Sequence, residues 1–152
     1  MVTAEKLFTR LQQVRFSSIR DEDLKQHIEK SMPVIEEIER LKKEKDAVIL
    51  AHSYVTPDII YSVADYSGDS YELSKNALEA EADLIVFAAV RFMGETAKIL
   101  SPHKEVLIPG TDPACSLADS ISASDVRTLK TCLLYTSPSP RDRTRSRMPS
   151  SA

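Results

Sequence analysis

Apolar residues early in the chain recur at helical spacing. Leu7, Leu11 and Val14 form one stripe and Ile35, Ile38 and Leu41 another, with charged residues between them. This pattern predicts amphipathic helices from Ala4 to about Lys45, each with an apolar side that must cover something. Pro33 stands where it can open the second helix, since the first turn has no use for the missing N–H. Lys42, Lys43 and Lys45 load the C-terminal end of that helix, as its dipole favours.

The pattern then changes to short apolar runs rich in Val and Ile. Ala47–Ala51, Leu84–Ala89 and Glu105–Pro109 are too short for helices and read as strands. Between them Pro57–Asp65, Ser70–Ala80 and Met93–Leu100 have helical spacing, and Thr56 before Pro57 is a candidate N-cap. The predicted order after the N-terminal helices is β-α-α-β-α-β. Strands without alternation, joined by helical crossovers, imply an α/β domain with a three-layer arrangement: a parallel sheet with helices on both faces. In such sheets ligands bind beyond the carboxyl ends of the strands.

From Cys132 onward the pattern is lost. Residues 132–152 hold Pro138, Pro140 and Pro149, several Ser and alternating Arg, with no apolar period after Leu134. This composition builds no packed element and is expected to be disordered. The string also resembles read-through of a sequencing adapter into the reading frame, so it is expected to contribute nothing to the fold. The expected organisation is therefore N-terminal helices over 1–45, an α/β domain over 46–131 and a foreign tail over 132–152.

Charge sharpens this division. The net charge of −3 includes four Arg and one Asp in the tail, so the rest of the chain stands at −6. An acidic body offers no electrostatic footprint for nucleic acid. The longest wholly apolar run, Leu84–Val90, is less than half of a bilayer span and is bracketed by Asp83 and Arg91. The first ten residues lack the continuous apolar stretch of a signal peptide. Two cysteines, Cys115 and Cys132, make no extracellular disulfide framework. A soluble, cytoplasmic protein that handles small molecules is expected, without nucleic-acid or membrane partners.

Four segments carry candidate chemistry, the first of them at the carboxyl end of the first predicted strand. The first strand ends in His52-Ser53-Tyr54, where imidazole and phenol could donate, accept or shuttle protons; a satisfied loop histidine beside a half-buried tyrosine explains the spacing equally well. In Gly68-Asp69-Ser70-Tyr71-Glu72, Gly68 suits a tight turn, Asp69 an N-cap and Glu72 the return half of a capping box. That leaves Ser70 in a first helical turn able to hold a carboxylate or phosphate, although a well-capped helix alone accounts for the rest. In Arg91-Phe92-Met93-Gly94-Glu95, Arg91 could clamp an anion and Glu95 could serve as a base. The simpler reading has Phe92 and Met93 packing the sheet top, Gly94 permitting close approach and Glu95 stabilising a helix start. Cys115 follows the third predicted strand at an expected helix start, a setting that favours thiolate and metal ligation. One cysteine makes no metal site, and a buried structural thiol is the simpler reading. No GxGxxG, P-loop or GxSxG motif occurs.

Taken in order, AVILAHSYVTPDI, GDSYELSKNA, ADLIVFAAVRFMGETAKIL and PACSLADS closely resemble quinolinate synthase over roughly residues 40–125, the first third of that family's length. The resemblance implies an enzyme of NAD biosynthesis built from three pseudo-symmetric α/β domains, of which this would be the first. The active site would lie at their junction, with a 4Fe–4S cluster held by one cysteine from each domain. Cys115 would be the cluster ligand of this domain. The implied reaction joins iminoaspartate to dihydroxyacetone phosphate, with loss of phosphate and water, and implies a functional link to the enzyme that supplies iminoaspartate. By the same resemblance His52 would contact iminoaspartate and support proton transfer, Tyr54 would help orient it, and Ser70 would hold a carboxylate.

The sequence also departs from the family pattern. Arg91 stands where the family often has His, so no catalytic role attaches to it, and Cys132 matches no family motif. Since the other two cluster cysteines would lie in the missing domains, the chain as it stands is expected to be an inactive fragment. The competing readings are a non-catalytic α/β module that binds a small anion, and a fragment of a nucleotide-binding oxidoreductase, which the missing glycine fingerprint disfavours.

Overall fold

The computed structural model describes residues 2–14, 19–110 and 113–133. They fall into two compact units, one ending at Pro113 and the other starting at Ala114. The expected tail lies outside the described residues from position 134 onward.

The first unit runs α1 (Ala4–Val14), α2 (Asp21–Glu44), β1 (Ala47–His52), α3 (Pro57–Ser62), β2 (Tyr66–Gly68), α4 (Ser70–Glu79), β3 (Leu84–Ala88), α5 (Arg91–Leu100) and β4 (Glu105–Leu107). All four strands are parallel, in the order β2-β1-β3-β4. This is the expected α/β architecture: N-terminal helices first, then a parallel sheet flanked by helices. Among the described residues no helix is long and apolar enough to cross a membrane.

Alternate residues of the strands serve opposite layers. Val48, Leu50, Ile85 and Phe87 pack against Leu73 and Ala77 of α4 and Met93 and Ala97 of α5. Ile49 faces the other way, into a cluster with Val63, Leu7 and Leu11 of α1 and Leu24, Ile28 and Ile35 of α2. The period of two along each strand thus divides the apolar run between two cores. On this second face the helical cover is centred on β1, and Leu84, Val86 and Ala88 of β3 open into an apolar groove of about 380 Å³.

Three local features differ from the sequence expectation. Pro33 does not open a helix: α2 is continuous for 24 residues with Pro33 inside it. A proline in a helix interior costs on the order of 3 kcal/mol. Burial of Leu24 and Ile28 before it and Ile35 after it, all in one cluster, offsets that, because each buried side chain contributes about 1.5–3 kcal/mol. The helix expected to reach Asp65 stops at Ser62, because Asp65 is bound to β1 instead. Its N–H donates to Ile49 O at 2.9 Å, and its carboxylate accepts from Ile49 N at 2.8 Å and from Lys42 Nζ at 2.7 Å. Beyond it, β2 is a strand that the hydrophobic pattern did not signal. Tyr66 and Ser67 are exposed at the sheet edge, and the strand is defined by its pairing with Leu50, Ala51 and His52.

Asp58, in the first turn of α3, faces His27 of α2 across 3.3 Å. Burial pushes its carboxyl up, but hydrogen bonds from Thr56, from His27 and from the N–H groups of Asp58 and Ile59 outweigh this and hold it below the ordinary value. A lowered carboxylate contributes stability that is fully present above its unfolded pKa, about 3.9, and is lost as pH falls through the lowered folded value. Asp58→Asn is therefore expected to reduce stability at neutral pH, with the gap to the parent closing below about pH 4. Urea midpoints followed from pH 7 to 2 check this, and a gap that stays constant over the range would contradict it.

The second unit contains a 3₁₀ turn at Ala118–Ser120 and α6 (Ala123–Cys132). A capping box starts α6: the Ser122 side chain accepts from Asp125 N, and the Asp125 carboxylate accepts from Ser122 N.

Candidate active site at the carboxyl edge of the sheet

Parallel pairing brings separate segments to one edge. His52 closes β1 and is in register with Gly68, the last residue of β2, while Ala51 is in register with Ala88 of β3. Residues following these positions, Tyr54, Ser70 and Arg91, therefore leave the sheet at the same end. The carboxyl-edge rule places a ligand here.

The turn after β1 is tied down on both sides. Ser53 N donates to Gly68 O at 3.0 Å and Val55 N to His52 O at 2.9 Å. Tyr54 N donates to Nδ1 of His52 at 3.3 Å, and the two rings lie 4.1 Å apart between centroids, tilted by 31°. The Tyr54 hydroxyl accepts from Val90 N at 2.8 Å across 36 residues of sequence. Val90 is the N-cap residue of α5 and makes no side-chain cap of its own, so the phenol ties the β1 turn to the start of that helix.

Ser70 is the first residue of α4 and is exposed, as its candidacy requires. Asp69 is the N-cap, accepting from Glu72 N at 2.8 Å. Glu72 folds back over Gly68: a Cβ there would come within 2.8 Å of Glu72 Cδ. A side chain at position 68 would push the Glu72 carboxyl, the free end of an exposed side chain, aside.

Around α5 the structure favours the packing reading for Met93 and Gly94, both buried. A Cβ on Gly94 would lie 2.6 Å from Cδ1 of Ile108. Phe92, expected to pack the sheet top, is 42% exposed instead, because it leaves α5 on the side away from the Met93–Ala97 stripe. Arg91 and Glu95 are exposed, and Arg91 N donates to Pro113 O at 2.8 Å.

Cys115 belongs to the second unit and is a half-buried free thiol. It does not open an α-helix as expected. Its carbonyl accepts from Asp119 N at 2.9 Å in a turn that leads to the three-residue 3₁₀ segment, and the α-helix begins only at Ala123. Ser122 is the N-cap of that later helix. Among the described residues no group of three or more His, Cys, Asp or Glu could hold a metal ion. For an iron–sulfur cluster, which needs several thiolates, these residues fit one corner and no more.

Residues 36–138 match the family model described as quinolinate synthetase A protein. The chain belongs to that family. Among curated relatives, quinolinate synthase of Caulobacter vibrioides is 55% identical over 98 residues, covering 64% of this chain and 27% of the relative. Quinolinate synthase of Sinorhizobium fredii is 53% identical over the same length and the same shares. Quinolinate synthase 2 of Mesorhizobium japonicum is 55% identical over 96 residues, covering 63% of this chain and 30% of the relative. The aligned part thus spans less than a third of the length of these quinolinate synthases.

The site contains contacts that sequence reasoning missed. The Tyr54–Val90 bond joins residues 36 positions apart, and no local pattern signals it. The His52–Tyr54 stack forms where the chain turns out of β1.

Proposed function

We propose that this chain is part of a quinolinate synthase, a transferase of NAD biosynthesis that condenses iminoaspartate with dihydroxyacetone phosphate and releases phosphate and water. Supporting this is the family match over residues 36–138, a range that includes His52, Tyr54, Ser70 and Cys115. His52 and Ser70 would bind the carboxylates of iminoaspartate from two neighbouring strand ends, and Tyr54 would orient it. Cys115 would be one thiolate ligand of a 4Fe–4S cluster. When bound, the cluster supplies a Lewis acid through an iron that no protein side chain ligates. Since iminoaspartate is a reactive imine, the protein would work beside the enzyme that produces it, in a reducing cytoplasm.

The chain by itself lacks the thiolates to complete a cluster, and we propose that it neither assembles one nor makes quinolinate. The test is to sequence the native locus past codon 131, express the complete frame without oxygen, and assay quinolinate from both substrates beside the 152-residue chain. Product from the complete frame alone supports the reading. A colourless, inactive complete product would leave an α/β module binding small anions.

A further inference from the structure

His52 and Ser70 reach the carboxyl edge from different strands, so the spacing between them is set by the register of β2 on β1. That register rests on little. Three residue pairs define it, Leu50 with Tyr66, Ala51 with Ser67 and His52 with Gly68. β2 buries no side chain, since Tyr66 and Ser67 are exposed and Gly68 has none. Where burial does not distinguish the two faces of a strand, register is weakly specified. A slip of one residue would carry Ser70 about 3.3 Å along the strand, as far as a whole hydrogen bond is long.

Asp65 supplies what burial does not. It stands opposite Ile49, one position before the Leu50–Tyr66 pair, and holds both backbone groups of that residue. Its N–H donates to Ile49 O at 2.9 Å and its carboxylate accepts from Ile49 N at 2.8 Å. Because β1 lies between β2 and β3, its successive residues bond alternately to the two neighbours. A slip by one would set Asp65 against a residue whose N–H and C=O turn toward β3, so the double bond closes only in the observed register. Lys42 of α2 fixes the carboxylate in turn. Its ammonium donates to Asp65 Oδ1 at 2.7 Å, to Val63 O at 2.9 Å and to Glu39 Oε1 at 3.1 Å, and its side chain is only 13% exposed.

We infer that Asp65, held by Lys42, is a positioning residue: it fixes the register of β2 on β1 and so the spacing of Ser70 from His52. It acts through those two residues and need not touch substrate. Its effect on the reaction rests on the proposed function, in which Ser70 and His52 bind the carboxylates of one iminoaspartate.

Two measurements on the complete frame test this. The first needs no activity: hydrogen–deuterium exchange, read by mass spectrometry, of Asp65→Ala and the milder Asp65→Asn. Losing a hydrogen bond to a charged group is expected to speed exchange roughly 10- to 150-fold at Ser53 and over residues 66–70 in Asp65→Ala, while peptides covering β3 keep the parent's rates. A merely structural residue would speed all strands alike through global opening. That result, or unchanged rates, overturns the inference. The second is steady-state kinetics. Asp65→Ala is expected to lower kcat/KM roughly 10- to 100-fold through KM for iminoaspartate, since a misplacement of about 1 Å suffices for such a loss. Asp65→Asn, whose amide oxygen can still accept from Ile49 N, is expected to recover roughly 2- to 10-fold of this, the worth of one neutral hydrogen bond. If kcat falls with KM unchanged, or if asparagine does no better than alanine, the inference fails. A complete frame that makes no quinolinate at all refutes the proposed function and leaves the exchange measurement to decide whether Asp65 holds the register.

Discussion

Cys115→Ala in the complete frame, purified without oxygen, is expected to abolish the broad visible absorption and the content of about four irons that mark a cubane cluster. Activity is expected to fall to background with it. The proposed cluster, with one thiolate from each of three domains, would have no spare ligand, and the described residues offer no group of three or more metal-binding side chains in its place. The half-buried thiol sits in a turn closed by a backbone bond from Asp119 to its own carbonyl, so removing sulfur should leave the turn intact. Circular dichroism of the variant should match the parent, which separates loss of a ligand from loss of fold. Full iron content in Cys115→Ala would remove Cys115 from the site.

The second large effect is expected at Lys104, a lysine only 4% exposed. Its ammonium donates to Ala77 O at 2.9 Å, to Leu78 O at 3.4 Å and, in a short contact, to Ala80 O. These are carbonyls at the C-terminal end of α4, where the last helical turn has no partners of its own and the dipole is negative. Lys104→Met keeps the apolar stem but leaves those carbonyls buried without donors. The expected cost is roughly 2–4 kcal/mol, since each unsatisfied group costs about 1–3 kcal/mol. Lys75→Met is the contrast: its ammonium faces Glu79 at 3.7 Å on the surface, and pairs of that kind contribute under about 1 kcal/mol. Urea unfolding of both variants checks the difference. Equal midpoints would mean that the Lys104 ammonium does not hold the helix end.

How much of this was legible in the sequence depends on how far apart the interacting residues lie. The stripes Leu7–Leu11 and Leu73–Ala77, the unbroken run of β3 and the cap at Asp69 rest on neighbours a few positions away, so periodicity and composition predict them. His52 and Tyr54 could be placed at the carboxyl edge for the same reason, since they follow a strand with a clear local signal, whereas Ser70 was legible only as a helix start. β2 could not be predicted, because Tyr66-Ser67-Gly68 has no apolar period and becomes a strand only by pairing with β1. Pro33 misled for a related reason, as the local rule that proline starts helices gave way to burial on both sides of it.

By itself, then, the sequence determined the class of fold and the family, because these follow from periodicity and motif order. The tertiary structure decided which nitrogen of His52 is open, what the Tyr54 hydroxyl holds and why Lys104 can be buried. Each of these depends on a hydrogen bond whose partner is placed by the backbone, by a turn in the first case and by packing across 24 to 36 residues in the others. Such bonds are satisfied only once the strands and helices have come together, so no residue type or spacing announces them in advance.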